Sequence, residues 1–212
     1  MVYIYQADDK FINAEISLDE LLLKLPVIMH ERAKRYKFEQ DAYHFVLGRL
    51  LLKQGLEHLG MGDQFAHIEY QKKGKPFLKG VFFNISHTEN RIVCAISTEG
   101  EIGIDVEIMK SVKLTDFGPW FTENEWMEIN NTTTSIHRFY EYWTRKESIV
   151  KALGVNISYL HRIEVDITQD HFLDQDKKWY LKALDFGSDY VGALCSENPI
   201  GEVNYIFGLD CF

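Results

Sequence analysis

Cysteine is scarce in this 212-residue chain: Cys94, Cys195 and Cys211 are odd in number, far apart and never in a C-x-x-C pair. That excludes a disulfide framework and a cysteine-based zinc site. Proline is nearly as rare, at four residues, and no stretch rich in proline or serine forms a linker. No apolar run approaches the ~18 residues of a membrane span, and the N-terminus lacks a basic segment followed by an apolar one. A cytoplasmic protein without a membrane partner is therefore expected. Positive charge is also short: 23 Lys and Arg against 32 Asp and Glu leave −9, which argues against general nucleic-acid binding.

The charge is unevenly spread. Residues 24–79 hold 11 basic and 6 acidic side chains, and the rest of the chain holds 12 and 26. A basic first part on an acidic chain suggests a local site for phosphate or an acidic partner, although a solvated helix face has the same look. Its densest piece is ERAKRYK, Glu31 to Lys37.

Local patterns predict the elements. Val2 to Gln6 alternates like a short strand, and Ser17-Leu-Asp-Glu20 is a capping-box sequence that starts a helix stopping before Pro26. A second helix is expected near Met29. A longer one over 40–58 buries Tyr43, Val46, Leu47, Leu50 and Leu51 and stops at Gly60. Phe65 to Gln71, Val81 to Ser86, Arg91 to Thr98 and Glu101 to Met109 read as an antiparallel meander, interrupted by a turn carrying four lysines. A second capping box, Thr122-Glu-Asn-Glu125, precedes a long helix around Trp143. Strands over Arg162 to Ile167, Lys178 to Phe186, Tyr190 to Ser196 and Glu202 to Leu209 finish the chain. Each half offers helices on short, mainly antiparallel strands, an α+β pattern with a first lobe over 1–100 and a second over 101–212.

Two stretches carry chemistry. In the helix through WTRKESIVK, Glu147 lies on the apolar stripe of Ile136, Tyr140, Trp143 and Val150, where a carboxylate is costly unless a cation satisfies it. Lys151 stands one turn on, so a local ion pair is the plainer account. In IGIDVEIM, strand alternation puts Gly103, Asp105 and Glu107 on one face, opposite Ile102, Ile104, Val106 and Ile108. Neighbouring carboxylates repel unless a cation lies between them, and magnesium, with its preference for oxygen ligands and phosphates, suits such a pair. A solvent-facing D-x-E strand is the common alternative.

IGIDVE, WTRKESIVK with Glu147 42 positions after Asp105, and the upstream NISH of Asn84 to His87 together resemble the 4′-phosphopantetheinyl transferases. That family's signature is (I/V)-G-(I/V)-D-x-E and then, about forty residues on, W-(S/T/C)-x-K-E-(A/S)-x-x-K. The resemblance runs from ERAKRYK through GRLLLK, GKP and NISH onward, leaving about the last forty residues without a family mark. About a hundred residues precede IGIDVE, which is similar to the surfactin-synthetase-activating type and unlike the short, trimeric holo-acyl-carrier-protein synthases. The resemblance implies a pseudo-dimer of two similar lobes in one chain, a monomer, with coenzyme A in the cleft between them.

It also implies roles. Asp105, Glu107 and Glu147 match the magnesium ligands. Lys151 matches the lysine on the coenzyme A phosphates, and Lys146 belongs to the same signature. Ser86 and His87 match the phosphate-touching pair, with His87 expected to add charge, and Lys75 and Pro76 match the turn against the adenine. Arg32 and Arg35, with Lys34 and Lys37 as near alternatives, would reach the 3′-phosphate. His44 stands where well-known members carry an arginine for that phosphate. The implied reaction is attack by a serine hydroxyl of an acyl or peptidyl carrier protein on the β-phosphorus of coenzyme A, with 3′,5′-ADP leaving. Asp105, Glu147 and Lys151 would be catalytic, and Glu147 or a water held by the magnesium would be the base. Pro119 to Asn131, with Trp120, Phe121, Trp126 and Met127 among acids, is a candidate docking surface or an ordinary amphipathic helix. A magnesium-dependent phosphodiesterase or nuclease, and a non-catalytic carrier-binding module, are the rival readings.

Overall fold

The computed structural model describes residues 1–9, 16–71 and 74–209; Lys72 and Lys73 of the four-lysine turn and Cys211 lie outside them. The first part runs β1 (Val2–Asp8), α1 (Leu18–Leu22), α2 (Val27–Ala33), α3 (Glu39–His58), β2 (Glu69–Tyr70), β3 (Pro76–Phe77), β4 (Phe82–Thr88) and β5 (Arg91–Ser97). The second runs β6 (Ile102–Ile108), α4 (Glu123–Asn130), α5 (Ser135–Leu153), β7 (His171–Asp174), β8 (Lys177–Leu184), β9 (Tyr190–Ser196) and β10 (Val203–Phe207).

Both capping boxes form. Ser17 Oγ accepts from the Glu20 amide while Glu20 accepts from the Ser17 amide at 2.8 Å, and Thr122 and Glu125 repeat the exchange at the start of α4. Gly60, at φ +69°, follows α3 in a left-handed conformation that a side chain would resist. Tyr43, Val46, Leu47, Leu50 and Leu51 of α3 are buried against the sheet, as their spacing predicts.

Two segments differ from expectation. Phe65 is drawn into the α3 core, so 62–67 wind into a 3-10 turn and only Glu69 and Tyr70 pair as a strand. Arg162 to Ile167 form no strand because side chains take their backbone groups: the Lys146 ammonium donates to the Ile163 carbonyl at 2.7 Å, and the Val165 amide donates to Glu125 at 2.8 Å. His171–Asp174, unmarked in the sequence, supplies the edge strand instead.

The sheets have the orders β10-β1-β5-β4 and β6-β9-β8-β7, with β2 and β3 as a separate ribbon. The expected meander is thus broken after β5, since β6 pairs with β9 in the second sheet. β10, in the 101–212 half, pairs parallel with β1 of the first sheet, from Val2 opposite Val203 to Gln6 opposite Phe207.

The sheets pack back to back. Val2, Ile4, Val93 and Ala95 of the first meet Ile102, Ile104, Val106, Leu184 and Leu194 of the second in one apolar layer. The opposite faces are covered by helices: Tyr5, Ile92, Cys94 and Ile96 lie in the α3 core, and Leu181 and Cys195 in the α5 core. Helix, sheet, sheet, helix is the resulting order of layers, and the central strands are buried on both faces.

Candidate active site

The site forms where β4 of the first sheet, β6 of the second and α5 meet. Inward-facing Ile102, Ile104 and Val106 turn Gly103 and Asp105 toward α5. A Cβ at Gly103 would sit 2.1 Å from the Ser148 carbonyl oxygen and 2.4 Å from the Ala152 amide, so the helix backbone lies directly on the strand. That contact brings Lys151 to Asp105: its ammonium donates to Asp105 Oδ1 at 2.6 Å and to Ser86 Oγ at 3.0 Å.

β4 meets β6 through side chains, since the two strands belong to different sheets. Asn84 Oδ1 accepts from the Ile104 amide at 2.9 Å, Ser86 Oγ from the Val106 amide at 3.4 Å and Thr88 Oγ1 from the Ile108 amide at 3.2 Å. Two of these hydroxyls then donate to the carboxylates, Ser86 to Asp105 Oδ1 at 2.9 Å and Thr88 to Glu107 Oε2 at 3.0 Å.

Glu107 and Glu147 are held against their ordinary ionisation. Burial, then the neighbouring Asp105 charge, push Glu107 up to about 7 despite the Thr88 hydrogen bond and the Lys151 cation. Burial and Asp105 also raise Glu147. Asp105 is 3% exposed, and its second oxygen, Oδ2, is buried without a hydrogen-bond partner among the described residues.

Beside this cluster opens a cleft of about 520 Å³ lined by Gly74, Lys75, Pro76, Asn84, Val150, Lys151 and the Gly154–Asn156 turn. The Lys75 ammonium is braced by Glu101 at 2.6 Å and by the Ala152 carbonyl at 3.1 Å, which ties the ribbon turn to the end of α5. Ser86, Asp105, Glu107, Glu147, Lys151, Lys75 and Pro76 are thus gathered along one seam between the sheets.

The His87 ring lies tilted against His44 with ring centroids 4.6 Å apart, and His44 Nε2 lies 2.9 Å from Asp9 and 3.0 Å from Gln40. Desolvation by its neighbours, then the His44 and Lys151 charges, push His87 down to about 4, although the residue reaches solvent. Arg32 and Arg35 line a separate pocket of about 240 Å³ with Met29, Ile68 and Tyr70. Tyr70 pairs with Pro76, so the ribbon joins that pocket to the cleft. The Arg32 guanidinium lies 4.1 Å from the centre of the Tyr70 ring.

Lys146 does not join the others. It is 1% exposed and bonds Glu125 at 2.6 Å and the Ile163 carbonyl, inside the second lobe. One helical step rotates a side chain by about 100°, so residues 146 and 147 face different ways while 147 and 151 share a face.

A family profile described as the 4′-phosphopantetheinyl transferase superfamily matches residues 101–195, and one described as 4′-phosphopantetheinyl transferase, N-terminal, matches 15–99. The chain is 30% identical over 165 residues to the 4′-phosphopantetheinyl transferase HetI of Nostoc sp., covering 73% of this chain and 70% of that protein. The chain belongs to the 4′-phosphopantetheinyl transferase superfamily. It is also similar to 4′-phosphopantetheinyl transferase gsp of Aneurinibacillus migulanus, at 36% identity over 57% of this chain and 52% of that protein, so the match spans about half of that relative. With Sfp of Bacillus subtilis it shares 28% identity over 80% of each chain.

The acids of this seam are the residues that would hold a divalent cation. Among the described residues no three His, Cys, Asp or Glu side chains form a ready metal cluster, and Lys151 lies on Asp105. The donor set nevertheless fits: Asp105 Oδ2 is an orphaned buried oxygen, and burial and the Asp105 charge raise the acids at 107 and 147. Asn84 and Thr88 as stitches, and Glu101 as the brace of Lys75, emerge only from the structure. Their signal was the alternation of polar residues along β4, in which Asn84, Ser86 and Thr88 recur every second position.

Of the candidate docking segment, Phe121 and Ile129 are core residues, Trp126 packs against them and Met127 is exposed. No helix among the described residues is long and apolar enough to cross a membrane.

Proposed function

We propose that this protein transfers the 4′-phosphopantetheine arm of coenzyme A to a serine hydroxyl of an acyl or peptidyl carrier protein, releasing 3′,5′-ADP, and that it acts as a magnesium-dependent monomer in the cytoplasm. The observation that carries this reading is the meeting of Asp105, Glu107, Glu147 and Lys151 beside the cleft lined by Lys75 and Pro76, in a chain of this superfamily. The cleft is the proposed seat of coenzyme A, with the adenine against Lys75 and Pro76. Arg32, Arg35 and His44 belong to the proposed 3′-phosphate region.

Asp105, Glu107 and Glu147 would hold Mg²⁺, which when bound supplies positive charge against the pyrophosphate oxygens. Phosphoryl transfer asks the protein mainly to place and neutralise, not to react covalently. Lys151 would exchange its bond to Asp105 for one to a phosphate oxygen. Ser86 and His87 would contact the same group. Glu147, on the helix face of Lys151, is the residue proposed to take the serine proton.

Intact mass of an apo acyl carrier protein, incubated with the protein, coenzyme A and Mg²⁺, tests the whole reading. A gain of one phosphopantetheine arm, prevented by EDTA and lost in Glu147→Gln, is expected. No gain on several carriers would overturn it, and metal-dependent release of nucleotides without any carrier would move the assignment to a phosphodiesterase.

A further inference from the structure

Thr88 has two hydrogen bonds that constrain each other. Its Oγ1 accepts from the Ile108 amide at 3.2 Å and donates to Glu107 Oε2 at 3.0 Å. A hydroxyl has one proton, so with a backbone donor occupying an acceptor position that proton is directed onto the carboxylate. Glu107 therefore takes its orientation from a side chain of the other sheet. Ser86 does the same for Asp105, through the Val106 amide and Asp105 Oδ1.

We infer that Thr88 is a positioning residue for the metal ligand set: it fixes the Glu107 carboxylate and so makes cation affinity depend on the registration of β4 against β6. The inference rests on the proposed metal role of Asp105, Glu107 and Glu147. Groups that orient a ligand by hydrogen bonding without touching the metal typically change metal affinity about 10–100-fold when removed. Thr88 is 8% exposed, on the last residue of β4, and the β-branched methyl keeps its hydroxyl in a narrow set of rotamers. The rest of the stitch, Asn84 to Ile104 and Ser86 to Val106, stays in place when Thr88 changes, so the sheets remain docked.

The test is direct Mn²⁺ binding, read by electron paramagnetic resonance without coenzyme A or carrier, on wild type, Thr88→Val and Thr88→Ser. Thr88→Val keeps the shape and loses the hydroxyl, and about tenfold weaker Mn²⁺ binding is expected. Thr88→Ser, which keeps the hydroxyl, should bind within about threefold of wild type, since a single retained hydrogen bond to a charged group carries most of the effect. Circular dichroism and a thermal melt of each metal-free variant separate a folding defect from a ligand effect. If Thr88→Val does not fold, Thr88→Ser and Thr88→Cys, whose thiol is a weak donor, carry the comparison. Equal Mn²⁺ affinity in wild type and the hydroxyl-free variant, or equal losses in Thr88→Ser and Thr88→Val, would overturn the positioning role alone. No Mn²⁺ binding by wild type would overturn the metal reading and this inference with it.

Discussion

Lys146 and Glu147 are neighbours in sequence with opposite fates. Lys146 is enclosed with Glu125, and burial lowers its affinity for the proton while the Glu125 charge raises it. Removing one member of such a pair strands the other charge out of water, which typically costs about 3–5 kcal/mol. Lys146→Met is expected to lower the urea midpoint accordingly, with coenzyme A affinity retained in the protein that stays folded. Unchanged stability with lost binding, by calorimetry, would return Lys146 to the cleft. Glu147 instead shares the helix face of Lys151 and feels the Asp105 charge.

At the scale of elements, the contact between β6 and α5 holds the site together. Gly103 is the reason the helix reaches the strand, since a methyl there meets backbone atoms, which cannot swing aside as a side chain can. Overpacking of this kind costs about 1–3 kcal/mol and more against backbone. Gly103→Ala should therefore melt several degrees lower and also bind a divalent cation more weakly, because Lys151 and Glu147 are carried away from Asp105 with the helix. A thermal melt together with Mn²⁺ titration checks both effects. A loss in one without the other would show that α5 and β6 are not coupled in this way.

Over the whole molecule, the chain closes on itself. β10 returns from the second half to the edge of β1 and covers a row of backbone groups that would otherwise lie at a sheet edge. Ending the chain at Gly201 is expected to lower the stability of the first sheet and to speed hydrogen exchange at 2–8, although residues 2–8 lie far from the cut in sequence. Unaltered protection of those amides would mean that β10 adds nothing to the first lobe. The site depends on this closure indirectly, because Asp105 and Glu107 lie on one sheet and the hydroxyls that orient them on the other.

Features settled within a few residues were legible in the sequence. The two capping boxes, the buried stripe of α3, the alternation that sets Asp105 and Glu107 on one face, and the shared face of Glu147 and Lys151 are all short-range geometry, and each appears as read. The motif spacing also carried the family. Strand pairing was settled only when the whole chain folded. Apolar alternation says that a strand is buried but not against which partner, so β6 leaving β5 and β10 joining β1 were invisible. The same limit hid Arg162 to Ile167, whose backbone partners are the side chains of residues 125 and 146. It also hid the seam at β4, where Asn84, Ser86 and Thr88 stand in for a neighbouring strand. Hydrogen bonds between distant residues leave no periodicity in a sequence, and in this protein they determine how the two halves present their chemistry to each other.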